Sequence, residues 1–213
     1  MGETERLIDS LLSLPSEGLL ELVWQFKPTS AAGLQAAAKA DANDAKAVER
    51  LLQAGDTNVD CPDERMWTPL MSASAAGNER VLGVLLENGA SWELQNEDGE
   101  AALHLAIKSG HMQCVSLLLE RNCDPNVRTS RGATPLIVAA GAGRDMVAMQ
   151  MLIDASSSSV DCCDQDGCTA LIHAARRGHF DATRLLLESG ASLNATDKRG
   201  ASALHHAAES GAL

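Results

Sequence analysis

Apolar residues along this chain follow a helical period, but only in short bursts. Near the start, Leu7, Ile8, Leu11, Leu12 and Leu14 form one stripe, and Leu19, Leu22, Val23 and Phe26 form a second. Pro15 divides them and Ser16 is placed to cap the second. Residues 1–32 thus predict two short helices, closed by Lys27-Pro28-Thr29-Ser30. They either cap the first of the repeated units beyond them or serve as an amphipathic docking or dimerisation element. From residue 33 onward a longer period takes over. Thr68-Pro69-Leu70-Met71 is followed by Ala101-Ala102-Leu103-His104, Thr134-Pro135-Leu136-Ile137, Thr169-Ala170-Leu171-Ile172 and Ser202-Ala203-Leu204-His205, at offsets of 33, 33, 35 and 33. A glycine stands at the same place in each copy (Gly77, Gly110, Gly143, Gly178, Gly211), and leucine pairs such as Leu118-Leu119 come after it. Each unit reads as helix, turn, helix, loop.

The residue types have mechanical reasons. Thr or Ser offers a hydroxyl N-cap, and Pro at the first helical position forfeits no hydrogen bond. Alanine pairs (Ala139-Ala140, Ala174-Ala175, Ala207-Ala208) let neighbouring helices approach closely, and the glycine ends each first helix in the left-handed conformation. In the second helices Val115, Leu118 and Leu119, or Thr183, Leu186 and Leu187, are expected on one buried face. One unit alone has nothing to bury that face against, so stability is expected from stacking.

The start, the Gly-His turns (Gly110-His111, Gly178-His179) and the loop ending Gly190-Ala191-Ser192-Leu193-Asn194-Ala195 resemble the ankyrin repeat, over roughly residues 33 to 213. The resemblance implies an all-α solenoid with units at about 33–61, 62–94, 95–127, 128–162 and 163–195, and a partial sixth at 196–213. The first unit is divergent, with Ala36-Ala37-Ala38-Lys39-Ala40, a longer turn through Asp41-Ala42-Asn43-Asp44, then Val48, Leu51, Leu52 and Gly55. Met66 stands where the loop normally carries Gly, so the first hairpin tip is expected to deviate from the family shape. The fourth unit carries two extra residues, placed near Arg144-Asp145-Met146 and in the solvated run Ser156-Ser157-Ser158-Ser159. The sixth unit stops at Leu213, before its second helix, so the chain is expected to be a fragment of a longer protein.

Composition sharpens this picture. Ala (34) and Leu (29) supply the core bulk of a chain with three Trp, two Phe and no Tyr, which suits thin helical layers rather than a thick aromatic core. A net charge of −12 argues against nucleic acid and anionic membranes as partners. No signal peptide, myristoylation signal or membrane-spanning run is legible. Six unevenly placed cysteines imply reduced thiols and an intracellular chain, cytoplasmic or nuclear.

Candidate chemistry is sparse. His104, His205, His111 and His179 sit at scaffold positions of the repeat and are read as hydrogen-bonding groups. His173 and His206 lie 33 apart on adjacent first helices, about 10 Å from each other, too far to share a metal without further ligands. Cys162, Cys163, Cys168 and His173 lack paired spacing, so no metal site is assigned. Gly141-Ala142-Gly143 lacks the preceding strand and third glycine of a dinucleotide loop. No catalytic residue, cofactor or small-molecule substrate is expected.

In the ankyrin family, partners bind the hairpin tips and the exposed ends of the first helices. Carried over position by position, the resemblance implies a partner-binding set of Arg65 and Trp67; Glu97, Asp98 and Glu100; Lys108; Arg131; Gln165 and Asp166; Arg176 and Arg177; Lys198 and Arg199; and Glu209. Its charge is acidic at the third unit and basic towards the C-terminal half, and Trp67 is either an exposed anchor or packed under the first loop. The expected function is non-catalytic binding of another protein or peptide on the concave face. The alternative is a regulatory or substrate-recruiting domain of a larger enzyme such as a kinase, acyltransferase, methyltransferase or ubiquitin ligase. Asn126 and Asn194 stand in the loop where ankyrin repeats can undergo asparaginyl hydroxylation.

Overall fold

The computed structural model describes residues 34–35, 37–38, 45–53, 58–143, 145–155 and 160–211. The expectations for residues 1–32, for the turn at 41–44 and for the serine run at 156–159 lie outside them. The described residues up to Ser91 form one compact unit and those from Trp92 a second. Ten helices lie among the described residues, with isolated bridges at Cys163–Thr169 and Thr196–Ser202. None is long and apolar enough to cross a membrane.

In the first unit, α3 (Glu79–Glu87) packs on α1 (Ala45–Gln53) and α2 (Pro69–Ala76). Val48, Leu51, Leu70, Met71, Leu82 and Leu85 form its buried apolar set. Gln35, buried in the divergent first repeat, ties that repeat to the next. Its Nε2 donates to the carbonyls of Cys61, at 3.0 Å, and Trp67, and its Oε1 accepts from the Ser72 hydroxyl at 2.9 Å. Asn78 Nδ2 donates to the Ala38 carbonyl at 3.0 Å, so the buried polar side chains here are paired into the stack.

The second unit contains two rows. The inner row is α4 (Ala102–Ser109), α6 (Pro135–Ala142), α8 (Ala170–Arg176) and α10 (Ala203–Ser210); the outer row is α5 (Met112–Glu120), α7 (Met146–Ala155) and α9 (Phe180–Glu188). Each inner helix packs on the next inner helix, and each outer helix packs on its own inner partner and on its outer neighbour. Ala106, Ala140, Ala170 and Ala174 are fully buried in the inner row, and Leu118, Leu152 and Leu186 are buried in the outer row. Burying each leucine contributes on the order of 1.5–3 kcal/mol.

The leucine pairs do not share one face. Leu118 and Leu186 are buried, whereas Leu119 is half-buried and Leu187 is 41% exposed. Neighbours in a helix diverge by about 100°, so one member of each pair meets the inner row and the other does not. The extra residue of the fourth unit falls where it was expected. Gly110 to Gly143 spans 33 residues, but the buried pairs Cys114 to Ala148 and Leu118 to Leu152 span 34, and α7 is ten residues long against nine for α5 and α9.

Capping agrees with the sequence at the three threonine starts, whereas the Ser202 hydroxyl makes no cap bond and meets His205 Nδ1 instead. The hydroxyls of Thr68, Thr134 and Thr169 each accept the N–H three residues on at 3.3 Å. Ala101 has no hydroxyl; there the buried imidazole of His104 accepts the Ala101 N–H at Nδ1, at 3.2 Å, and pairs through Nε2 with the Ala133 carbonyl at 3.2 Å. Burial pushes the His104 pKa down, keeping the ring neutral in this role. Gly77, Gly110, Gly143, Gly178 and Gly211 have φ between 63° and 80°.

The first hairpin tip corrects an expectation. Met66 does not make the tip deviate: it adopts φ 60°, the region that Gly99, Gly132, Gly167 and Gly200 occupy in the later tips, and its N–H donates to the Asp63 carbonyl at 3.0 Å as theirs do to Asn96, Thr129, Asp164 and Asp197. The turn's own hydrogen bonds over-determine the backbone, so a non-glycine residue is held in a conformation costing about 1–2 kcal/mol. Gly99 is different, because a Cβ there would lie 2.2 Å from the Ser130 nitrogen. Replacing Met66 with Gly should therefore raise unfolding stability by about 1 kcal/mol, after the entropic cost of glycine, whereas Gly99→Ala should lower it by more than about 2 kcal/mol. Urea denaturation followed by circular dichroism checks both signs.

Candidate interaction face

Each hairpin tip is built around one side-chain oxygen. Asp63 Oδ1 accepts the N–H groups of Arg65 and Trp67, both at 2.9 Å; Asn96 Oδ1 does so for Asp98 and Glu100 at 3.0 and 2.8 Å. Asp164 Oδ1 takes Asp166 and Cys168, and Asp197 Oδ1 takes Arg199 and Ala201, all at 2.9 Å. Thr129 Oγ1 serves Ala133 at 3.1 Å. These five positions recur at 33, 33, 35 and 33, the spacing of the helix starts. They escape the repeat pattern because Asp, Asn and Thr look unrelated as letters but share an oxygen two bonds from Cα or one atom beyond it. In the second unit the tips are laced together. Ser130 N–H donates to the Asp98 carbonyl at 3.1 Å, Gln165 N–H to Arg131 at 2.9 Å, and Lys198 N–H to Asp166 at 2.9 Å.

Two side chains join this lacing, the Ser130 hydroxyl donating to the Asp98 carbonyl at 2.5 Å and Gln165 Nε2 to the Ser130 carbonyl at 2.9 Å, and the tip side chains otherwise face solvent. Glu97, Asp98, Arg131, Gln165, Asp166, Lys198 and Arg199 are exposed, as are Lys108, Arg176, Arg177 and Glu209 at the inner-helix ends; Glu100 is half-buried. Ordered by the lacing, the tips run from Glu97 and Asp98 to Lys198 and Arg199, so the acidic-to-basic trend of the sequence is a spatial one. Lys108 is matched locally, its Nζ 2.9 Å from Glu100 Oε1. Arg131, Arg177 and Lys198 make no ion pair among the described residues. In the first unit Arg65 is exposed, and Trp67 is half-buried with its carbonyl accepting from Asp63 N–H at 2.8 Å and from Gln35.

The two histidines outside the scaffold set are paired with tip carboxylates nine residues earlier. His173 Nε2 lies 2.7 Å from Asp164 Oδ2, and His206 Nε2 lies 3.0 Å from Asp197 Oδ2. Arg176 Nη2 is 3.0 Å from His173 Nδ1. Arginine has donors only, so Nδ1 accepts and the ring proton sits on Nε2, donated to Asp164. Asp164, His173 and Arg176 thus form one chain from tip to helix end, with His173 holding the guanidinium in place. His179 Nε2 pairs with the Gly141 carbonyl at 3.1 Å and its ring fills the space a Cβ on Gly143 would take. His205 meets the Ser202 hydroxyl at 2.8 Å.

Asp164, Cys168 and His173 offer three potential metal ligands within 4.8 Å of one another, a juxtaposition the cysteine spacing does not suggest. The same Asp–His pair recurs at Asp197 and His206 with Ala201 in place of Cys168, so the pairing belongs to the hairpin rather than to a donor set. Desolvation pushes the thiol of Cys168 up, away from the thiolate a metal takes. Asn126 is half-buried and Asn194 exposed.

A family model described as ankyrin repeats, in three copies, matches residues 34–129, 81–154 and 143–213. Among curated relatives, the mouse protein "Ankyrin repeat domain-containing protein 63" is 37% identical over 128 residues, 57% of this chain and 33% of its own length, and the human protein of that name matches equally. "Ankyrin repeat, SAM and basic leucine zipper domain-containing protein 1" of Saimiri boliviensis boliviensis is 37% identical over 108 residues, 49% of this chain and 23% of its own length. The chain therefore spans a third or less of the relatives it matches.

The tip carboxylates make acid stability a test of this architecture. The Ala201 N–H, then His206, then the Arg199 N–H hold Asp197 down to about 2, from an ordinary 3.8. A carboxyl whose folded value is depressed stabilises the fold above its unfolded pKa and loses that contribution as pH falls toward the folded one. Asp197→Asn keeps the Oδ1 acceptor, as Asn96 does, but removes the charge. It should be less stable than wild type at neutral pH and show a shallower loss between about pH 4 and 2; urea midpoints measured across that range check this.

Proposed function

The chain belongs to the ankyrin-repeat family, and on that footing we propose that it is a non-catalytic interaction scaffold. It takes a segment of another protein along the hairpin tips and inner-helix ends, the face the sequence predicts to be concave. Ankyrin repeats are generally protein-binding modules and typically non-catalytic. The observation that carries the reading for this chain is the Asp164–His173–Arg176 chain, with distances of 2.7 and 3.0 Å, which pre-orders a cation on an exposed face. Pre-ordering a long side chain lowers the entropic cost of engaging a carboxylate. Arg177, Arg131 and Lys198 add exposed positive charge without internal ion pairs among the described residues, against a net charge of −12 for the whole chain. Local base on an acidic background selects acidic segments and steers their approach.

Lys108 and Glu100 neutralise each other, so they contribute shape and register more than net charge. Glu97 and Asp98 then favour a basic group at the opposite end of the bound segment. Arg65 and the half-buried Trp67 extend the set in the first unit, where Trp67 offers part of its surface rather than a fully exposed anchor. No disulfide joins the six cysteines, all of them among the described residues, and burial pushes Cys123 up to about 12 and raises Cys61 as well, so these thiols stay protonated; the reading includes a reducing compartment, cytoplasmic or nuclear.

Reversing both arginines, Arg176→Glu with Arg177→Glu, should cut partner capture at least roughly tenfold in low-salt pull-downs while leaving the melting temperature within a few degrees. Unchanged capture by the double variant would show that this face does not carry binding.

A further inference from the structure

A second surface lies on the outer row, away from the tips. Between α7 and α9 runs an open groove of about 540 Å³, with Met146, Val147 and Met151 on one wall and Leu185 on the other. Position 147 is the anomaly. Buried residues fix the equivalence of the three outer helices at an offset of 34: Cys114, Ala148 and Ala182, and Leu118, Leu152 and Leu186. At that offset Val147 matches Gln113 and Asp181, both exposed polar residues, yet Val147 is itself 62% exposed. Met146 matches Met112 and Phe180, so this position is apolar in all three outer helices, and Phe180 is 74% exposed in a chain with only two phenylalanines. An apolar side chain at a solvent position that neighbouring repeats fill with polar ones, as Val147 is, beside a large exposed aromatic such as Phe180, marks a surface meant to be covered.

The rim of the groove is acidic. Asp181 and Glu188 line it, Gln150 donates to the exposed Asp154 at 2.8 Å, and Arg184 is the one cation in the lining, already 3.5 Å from Asp181. A second copy of a chain carrying −12 would bring the same acidic rim against itself. The groove lies between two neighbouring helices about 13–15 Å long, the shape into which the ridge of a third helix fits. We propose that this outer groove docks a basic amphipathic helix of a partner protein, its apolar stripe on Met146, Val147, Met151 and Leu185 and its lysines or arginines toward Asp181 and Glu188. The site is separate from the tip face and does not depend on it.

A fluorescent helical peptide of about 14 residues, with leucine at i, i+3, i+4 and i+7 and lysine elsewhere, is the probe. Titrated with the whole chain, it should give saturable anisotropy, with NMR amide shifts concentrated in residues 146–151 and 181–188. Val147→Gln, which installs the residue of the preceding repeat at an exposed position and leaves the charge unchanged, should weaken binding roughly tenfold without altering the melting curve. A twin peptide with glutamate for lysine should bind at least tenfold more weakly than the lysine peptide. Equal affinity for wild type and Val147→Gln, equal affinity for the two peptides, or a wild-type dimer in sedimentation that the variant dissolves would each overturn the proposal.

Discussion

A turn without a sheet leaves backbone amides that need an acceptor, and in this chain one side-chain oxygen per repeat supplies it. Asp63, Asn96, Asp164 and Asp197 each take two amides of their tips and Thr129 takes one, and the other features of the tips depend on that closure. Because the turn's amides are satisfied from within, the backbone of one tip is available to lace to the next. Lacing brings tips so close that Gly99 tolerates no Cβ, while Met66 is held at positive φ by the same set of bonds. The side chains one and two residues past the oxygen are then the ones that face solvent, and of these Ser130 and Gln165 also bond to the preceding tip.

Much of this was legible in the sequence. The threonine helix starts, the left-handed glycines and the extra residue near Asp145 all reduce to local backbone chemistry that a residue type announces by itself. What was not legible depends on pairs. The Asp164–His173 and Asp197–His206 bonds join residues whose nine-residue spacing crosses a turn and a helix, so no single period reveals them. Met66 misleads for the related reason that a residue's intrinsic preference for negative φ is weaker than the hydrogen bonds surrounding it. Leu187 misleads because adjacent leucines read as one apolar block although the helix sends them to different sides.

The third repeat shows what the Asp–His pair does by lacking it. Asn96 stands at the place of Asp164 and Asp197, and Leu105 at the place of His173 and His206. The Asn96 Oδ1 still closes the turn, but its buried Nδ2 has no hydrogen-bond partner. An unsatisfied buried donor costs about 1–3 kcal/mol, a cost that the carboxylates of Asp164 and Asp197, paired with histidine, do not carry. The consequence reaches the surface. Without a histidine beneath it, Lys108 is anchored by Glu100 instead, whereas Arg176 is anchored from below and keeps its charge outward.

Stability in such an assembly is a sum over neighbouring layers, so a side chain that touches no neighbour is thermodynamically cheap to change. Chemistry at those positions is therefore set by something other than folding. That logic applies equally to the tips and to the outer row. At the tips the free positions are polar, as solvent alone would permit, so only the arrangement of their charges is informative. On the outer row the identity itself is informative, since water gives no reason for Val147 where Gln113 and Asp181 suffice, nor for Phe180 at 74% exposure. The outer groove departs further from what the fold requires, and the tips carry the more ordered charge.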